Sequence, residues 1–241
     1  MTTAELIDKM IAQMAIERVF SLSDLGLTAE TYERARVKLS RLVQQGVLKK
    51  VGKGRFYKPR QSIFGDLLPN VEELVSDYLI KNGETIGYLT GYAAWHRMGL
   101  TTQVPNIIEI GTNRRRNKLA RLHYTVKFVL QPNKITRENI PLLQILDAMK
   151  SIKQIPDTQP QITFERIIGM IKLLNERQVR LITKLAENYS PSTRALLGVI
   201  LEMLNYDKES RTLHATLNPA TTYKIGLAHS TLANLKNWNI E

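Results

Sequence analysis

Ten cations and no carboxylate occupy the stretch from Arg34 to Arg60: Arg34, Arg36, Lys38, Arg41, Lys49, Lys50, Lys53, Arg55, Lys58 and Arg60. Side chains of this kind at this density neutralise a row of phosphates and release the counterions condensed on them. Arginine adds a two-pronged hydrogen bond to a guanine edge. The stretch therefore points to double-stranded DNA, with Arg34, Lys38, Arg41, Lys49, Lys50, Lys53 and Arg55 as the candidate DNA-contacting residues.

The spacing says which elements carry them. Thr28 suits a helix N-cap and Glu30 its first turn, where the helix dipole favours negative charge. Tyr32, Ala35, Leu39, Leu42 and Val43 recur at a helical period, so they are expected to face a core. Arg34, Val37, Lys38, Arg41 and Gln44 fall opposite, and Gly46 supplies the stop. Val47-Leu48 and Val51 alternate with Lys49-Lys50, Arg55-Phe56-Tyr57-Lys58 repeats the alternation, and Gly52-Lys53-Gly54 turns between them. Upstream, Ala4 to Ala15 carries Leu6, Met10, Ile11 and Met14 as a first helix, and Ser23 to Leu27 suits a short helix and turn. The order helix, helix, longer helix, hairpin predicts a winged helix-turn-helix, its long helix in the major groove and its wing on phosphates.

Other readings of the same residues stay open. A basic helix alone is equally well a solvated face, and basic surfaces bind acidic proteins, RNA and membranes as well as DNA. Helix and wing of one charge together favour DNA. An RNA binder is expected to expose stacking aromatics, whereas Phe56 and Tyr57 alternate along a strand and at least one should be buried. No GK[ST] follows the glycine turn, which argues against a P-loop.

Composition narrows the class further. The 241 residues carry a net charge of +12, and residues 1–60 hold twelve Lys/Arg against six Asp/Glu, so half of the excess lies in the first quarter. A hydrophobic share of 43% is enough for true cores. The absence of cysteine excludes disulfides, thiolate zinc sites and a cysteine nucleophile. MTTAELIDKM lacks a basic region followed by an apolar core, and no run reaches the roughly 18 apolar residues of a membrane span. A cytoplasmic protein without membrane contact is expected.

Beyond Arg60, Gln61 to Asn70 reads as a linker punctuated by Gly65 and Pro69. Helices are expected at Val71 to Lys81, Thr90 to Met98, Ile140 to Ile152, Phe164 to Leu174, Glu176 to Tyr189 and Pro191 to Leu204. Strands are expected at Thr85 to Leu89, Ile107 to Ile110, Tyr124 to Leu130 and Thr221 to Leu227. The fold class is thus α+β, with a winged helix at 1–68 and a larger mixed domain at 69–241 whose C-terminal half is helical. Arg114-Arg115-Arg116 forms a second basic cluster, expected to be a hydrated loop, with DNA or RNA contact as the alternatives. His96, His123, His214 and His229 lack metal-ligand spacing, Ser190 and Ser192 lack a nucleophile elbow, and the acids nominate no acid–base pair. Thr101-Thr102-Gln103, between Gly99 and Pro105, is expected to shape a turn. No enzyme, metal or cofactor is expected.

TGYAAWHRMGLTTQVP (90–105) followed by IIEIGTN resembles the AbiEi-type antitoxins of type IV toxin–antitoxin systems, which typically carry a GLTTQ-P segment ahead of a strand. Residues 17–58 are similar to the N-terminal winged helix of that family. Tyr189 to Gly198, Leu217-Asn218-Pro219 and the closing Trp238-Asn239-Ile240 also look like it, so the resemblance spans nearly the whole chain. It implies an antitoxin that binds inverted repeats in its own promoter and represses it. Its larger domain would counter a nucleotidyltransferase-like toxin, with direct contact left open. The alternatives are a general winged-helix regulator, or a protein that neutralises a toxin by binding it without regulating DNA. The chain lacks a heptad segment, so a monomer that assembles on DNA is expected.

Overall fold

The computed structural model describes residues 2–227 and 233–241, so His229 lies outside the described residues. In chain order the elements are α1 (Thr3–Gln13), β1 (Val19–Ser21), α2 (Ala29–Gln44), β2 (Lys49–Gly52), β3 (Arg55–Tyr57), β4 (Arg60–Ser62) and β5 (Gly65–Leu67). There follow α3 (Val71–Leu74), α4 (Ser76–Leu79), β6 (Ile80–Lys81), β7 (Glu84–Thr85), β8 (Gly87–Thr90), α5 (Gly91–Arg97) and β9 (Ile107–Thr112). The chain closes with β10 (Leu119–Arg121), β11 (Tyr124–Leu130), α6 (Ile140–Lys150), α7 (Pro160–Lys172), α8 (Glu176–Ala186), α9 (Pro191–Met203) and α10 (Asp207–His214). The fold is α+β. It divides into two compact units, residues 1–80 with 118–126, and residues 81–117 with 127–241.

In the first unit, Thr2 and Glu5 close a capping box on α1, which satisfies backbone N–H groups that no helical carbonyl can reach. Its apolar stripe buries Ile7 and Ile11 against Ala35, Leu39 and Leu42 of α2. Thr28 takes the N-cap position of α2, but its side chain makes no cap hydrogen bond. After the helix Gly46 adopts φ +76, the left-handed conformation that ends a helix without a Cβ penalty. Strand β3 pairs antiparallel with β2 on one side and β1 on the other, giving the order β1-β3-β2. Phe20 and Phe56, their ring centroids 6.0 Å apart, seal this sheet onto the helices. Phe56 and Tyr57 are both buried, so the strand offers no aromatic platform.

The expected linker is structured. Residues 60–67 form the hairpin β4–β5, with Arg60 opposite Leu67 and Ser62 opposite Gly65. The helix expected at Val71 to Lys81 is two single turns, α3 and α4, separated where Val75 leaves helical geometry (φ −119, ψ 14). Both belong to the first compact unit, which also takes in residues 118–126. A charge cluster binds this addition internally. Arg121 is buried and grips Asp77 with two nitrogens at 2.5 and 2.7 Å, lies 4.8 Å over the Tyr78 ring and donates to the Leu74 carbonyl.

The second unit pairs β8 antiparallel to β9 and buries one core built largely from α6 to α9. Pro160 and Pro191 open α7 and α9, where a missing N–H costs nothing. The expected strand at Thr221 to Leu227 reduces to a single bridge, Tyr223 to Ile240, whereas α10 is an element the sequence pattern did not suggest. Its apolar content is low, and only Ser210 and Leu213 are buried.

Candidate nucleic-acid interface

A groove of about 690 Å³ lies between α2 and the β2–β3 hairpin. Its cationic wall consists of Arg36 and Arg41 from the helix and Lys50 and Lys53 from the hairpin, and no acidic residue lines it. Val37, Ser40 and Gln44 continue the helical wall. The positions 36, 37, 40, 41 and 44 form one stripe at 3.6 residues per turn, so a straight helix presents them together. Gly54, with φ +69, closes the hairpin turn beside Lys53.

The seven residues singled out by charge separate into three in the groove, one exposed outside it and three held in ion pairs. Arg41, Lys50 and Lys53 meet across the groove, and none of them has an ion-pair partner among the described residues. Arg34 is exposed on α2 but is not part of the groove wall. The other three are tied within the unit. Lys38 meets Asp8 of α1 at 2.8 Å, Lys49 meets Asp66 of β5 at 2.6 Å, and Arg55 meets Asp77 at 3.0 Å. The hydrogen bond and charge of Asp66 push the Lys49 ammonium up from its ordinary value, so it stays charged. These three cations arrive at any polyanion already neutralised.

Charge and period alone did not single out Arg36, which stands on the groove wall and pairs with Glu33 at the surface, 3.0 Å away. Tyr32, expected in the core, is 43% exposed and lines the groove. The signal was available in part. Arg36, Ser40 and Gln44 are successive i, i+4 positions along one flank of the buried stripe of Ala35, Leu39 and Leu42. Because α1 covers the Lys38 flank through Asp8, the open face is turned toward Arg36.

Outside the groove, a buried polar cluster occupies the second unit. Asp147 accepts hydrogen bonds from Tyr88 (2.7 Å), Thr90 (2.6 Å) and Tyr189 (2.7 Å), and Gln131 donates to both tyrosine hydroxyls. Burial raises the Asp147 carboxyl above its usual range, more than these hydroxyls lower it. Burial and the neighbouring carboxylate also push both tyrosines upward, so they act as donors throughout the ordinary pH range. With both carboxylate oxygens engaged, this cluster joins β8, the segment after β11, α6 and the connection between α8 and α9.

Most of the motifs noted in the sequence have similar structural work. Thr102 and Gln103 both donate to Asp157, at 3.2 and 3.0 Å, which holds the turn after α5. Ser190 caps α9, and Trp238 donates to Glu202 at 2.5 Å. Arg114, Arg115 and Arg116 are exposed in the turn after β9. Asn113 pins its start by donating to the Gln131 and Asn133 carbonyls, and the Arg116 guanidinium lies 5.9 Å from the Phe128 ring. Among the described residues no group of three or more His, Asp or Glu is placed to hold a metal ion, and no helix is long and apolar enough to cross a membrane.

Residues 7–179 match DUF6088, a family of unknown function, and the chain belongs to that family. No curated protein matches it. Among solved structures the chain is similar to the crystal structure of RV2827C protein from Mycobacterium tuberculosis, at 13% identity and a TM-score of 0.48, over 100% of this chain and 91% of that chain.

Proposed function

We propose that the first unit is a winged helix that binds double-stranded DNA, and that the protein represses its own operon as the antitoxin of a type IV toxin–antitoxin pair. The observation that carries the DNA reading is the acid-free groove between α2 and the β2–β3 hairpin, walled by Arg36, Arg41, Lys50 and Lys53. A phosphate strand drawn into it meets cations from both sides and no carboxylate. In this reading α2 enters the major groove, with Arg41 and Gln44 toward the bases and Arg34 on a flanking position. Lys50 and Lys53 hold the backbone. Two copies on inverted half-sites roughly ten base pairs apart, or a multiple of that, would place both on one duplex face.

The antitoxin part rests on the resemblance of the second-unit motifs to AbiEi-type proteins. The partner there is a nucleotidyltransferase-like toxin encoded beside this gene. One experiment separates the two parts. The full chain and a Lys50→Ala/Lys53→Ala variant are each co-expressed with the neighbouring gene, while a reporter reads promoter output. Both proteins are expected to protect the cells, and only the unaltered chain is expected to repress. Loss of protection in the variant would tie the functions together, and full repression by the variant would remove the groove from DNA binding.

A further inference from the structure

Helix α2 carries an apolar side chain where its polar face is most open. At the helical repeat, Val37 lies opposite the stripe of Ala35, Leu39 and Leu42 that α2 buries. It is 49% exposed and lines the acid-free groove between α2 and the β2–β3 hairpin. Around the helix its neighbours are Gln44 on one side and Arg41 on the other, both on the same wall. Nothing in the fold asks for valine there. Its side chain is not part of the core of the first unit. The helix gains nothing from it either. A β-branched side chain loses rotamer freedom in a helix, and exposed helical positions suit alanine, lysine or glutamate better.

We infer that Val37 reads the C5-methyl group of a pyrimidine, thymine or 5-methylcytosine, in the DNA major groove. The inference rests on the DNA-binding reading above and names a group that the α2 groove recognises. Geometry sets the position. With α2 in the major groove and its buried stripe toward the protein, the residue opposite that stripe points at the base edges. Residues on either side of it meet the walls. Valine has no donor or acceptor, so it cannot read the nitrogen and oxygen atoms of those edges. The thymine methyl is the apolar group exposed among them, and apolar side chains are what contact it. A 5-methylcytosine carries the same group at the same ring position. The rest of the groove supplies affinity without specificity, because Arg36, Arg41, Lys50 and Lys53 attract the polyanion whatever its sequence.

The test compares the full chain with its Val37→Ser and Val37→Ile variants. Serine and valine have similar helix propensities and the position is exposed, so circular dichroism is expected to be unchanged. The probe is the duplex upstream of the gene in three forms: with thymidine, with deoxyuridine in its place, and with 5-methyldeoxycytidine in place of deoxycytidine. Deoxyuridine removes only the methyl group. If thymine is the source, the unaltered protein is expected to bind the deoxyuridine duplex about fourfold more weakly for each methyl contacted, the worth of one buried methyl-sized group. If 5-methylcytosine is the source, it is expected to bind the third duplex more tightly by the same factor. In either case Val37→Ile should keep the discrimination and Val37→Ser should lose it. The salt slope is expected to be the same for all three proteins, since no charge changes. Equal affinity of the unaltered protein for all three duplexes would overturn the methyl contact and leave the DNA reading standing. So would a serine variant that discriminates as the unaltered protein does. A salt slope that falls in Val37→Ser would show that Val37 positions the helix instead of reading a base, and would likewise overturn the inference. Failure of the unaltered protein to bind any duplex would overturn both readings.

Discussion

The division of the basic residues into unpaired and internally paired sets has a measurable consequence. Each phosphate neutralised by the protein contributes about 0.9 to the slope of log affinity against log salt on B-form DNA. Arg41, Lys50 and Lys53 have no ion-pair partner among the described residues and face one groove. Replacing all three by alanine should lower the magnitude of the slope by about 2.7. Between 50 and 200 mM salt, affinity should then fall about 40-fold less steeply than for the unaltered protein. Lys49 provides the internal control, because Asp66 already balances it at 2.6 Å. Lys49→Ala removes a charge of the same sign from the same strand and should leave the slope nearly unchanged. Fluorescence anisotropy with a labelled duplex, titrated at several salt concentrations, reads both slopes. A Lys49→Ala slope reduced as much as a Lys53→Ala slope would refute the reasoning, since charge number and not pairing would then decide. An unchanged slope in the triple variant would show that the groove does not carry phosphate.

Two further predictions concern stability. Asp77 is the shared counter-charge of Arg55 and of buried Arg121, so Asp77→Ala leaves a desolvated guanidinium without a partner and should cost about 3–5 kcal/mol, read as a lower urea midpoint. A loss below about 1 kcal/mol, the ordinary worth of an exposed pair, would show that Arg121 finds water instead. For Asp147 the folded carboxyl is raised by burial, so the folded state holds the proton more tightly than the unfolded chain. The contribution of this group is complete below the unfolded value of about 3.9 and is lost as pH rises through the raised folded value. The stability of the unaltered protein relative to Asp147→Asn should therefore decline as pH increases through that window, and a difference that grows with pH would contradict the sign.

What the sequence made legible was what repeats locally. Strand β11 spans Tyr124–Leu130 as expected, and α6 to α9 begin or end within a few residues of their apolar periods. The fold class follows from those elements. The candidate site was legible in charge but not in orientation, and the reason is physical. A helical period fixes the buried stripe of α2 and leaves its two flanks equivalent. Which flank stays open depends on Asp8, thirty residues upstream, reaching Lys38. The same holds for Lys49 and Arg55, whose partners Asp66 and Asp77 lie outside the acid-free stretch that made those cations conspicuous. Hairpin β4–β5 was hidden for another reason. Its strands carry no alternating apolar face, and Ile63-Phe64 stands where turn chemistry calls for glycine or asparagine. Sequence consistency normally runs through every level of a fold, and departures from it concentrate where something other than folding sets the residue. In the first unit that departure is greatest at the β4–β5 tip, where Ile63 and Phe64 stand in solvent on a turn that neither the core nor the turn geometry requires them to occupy.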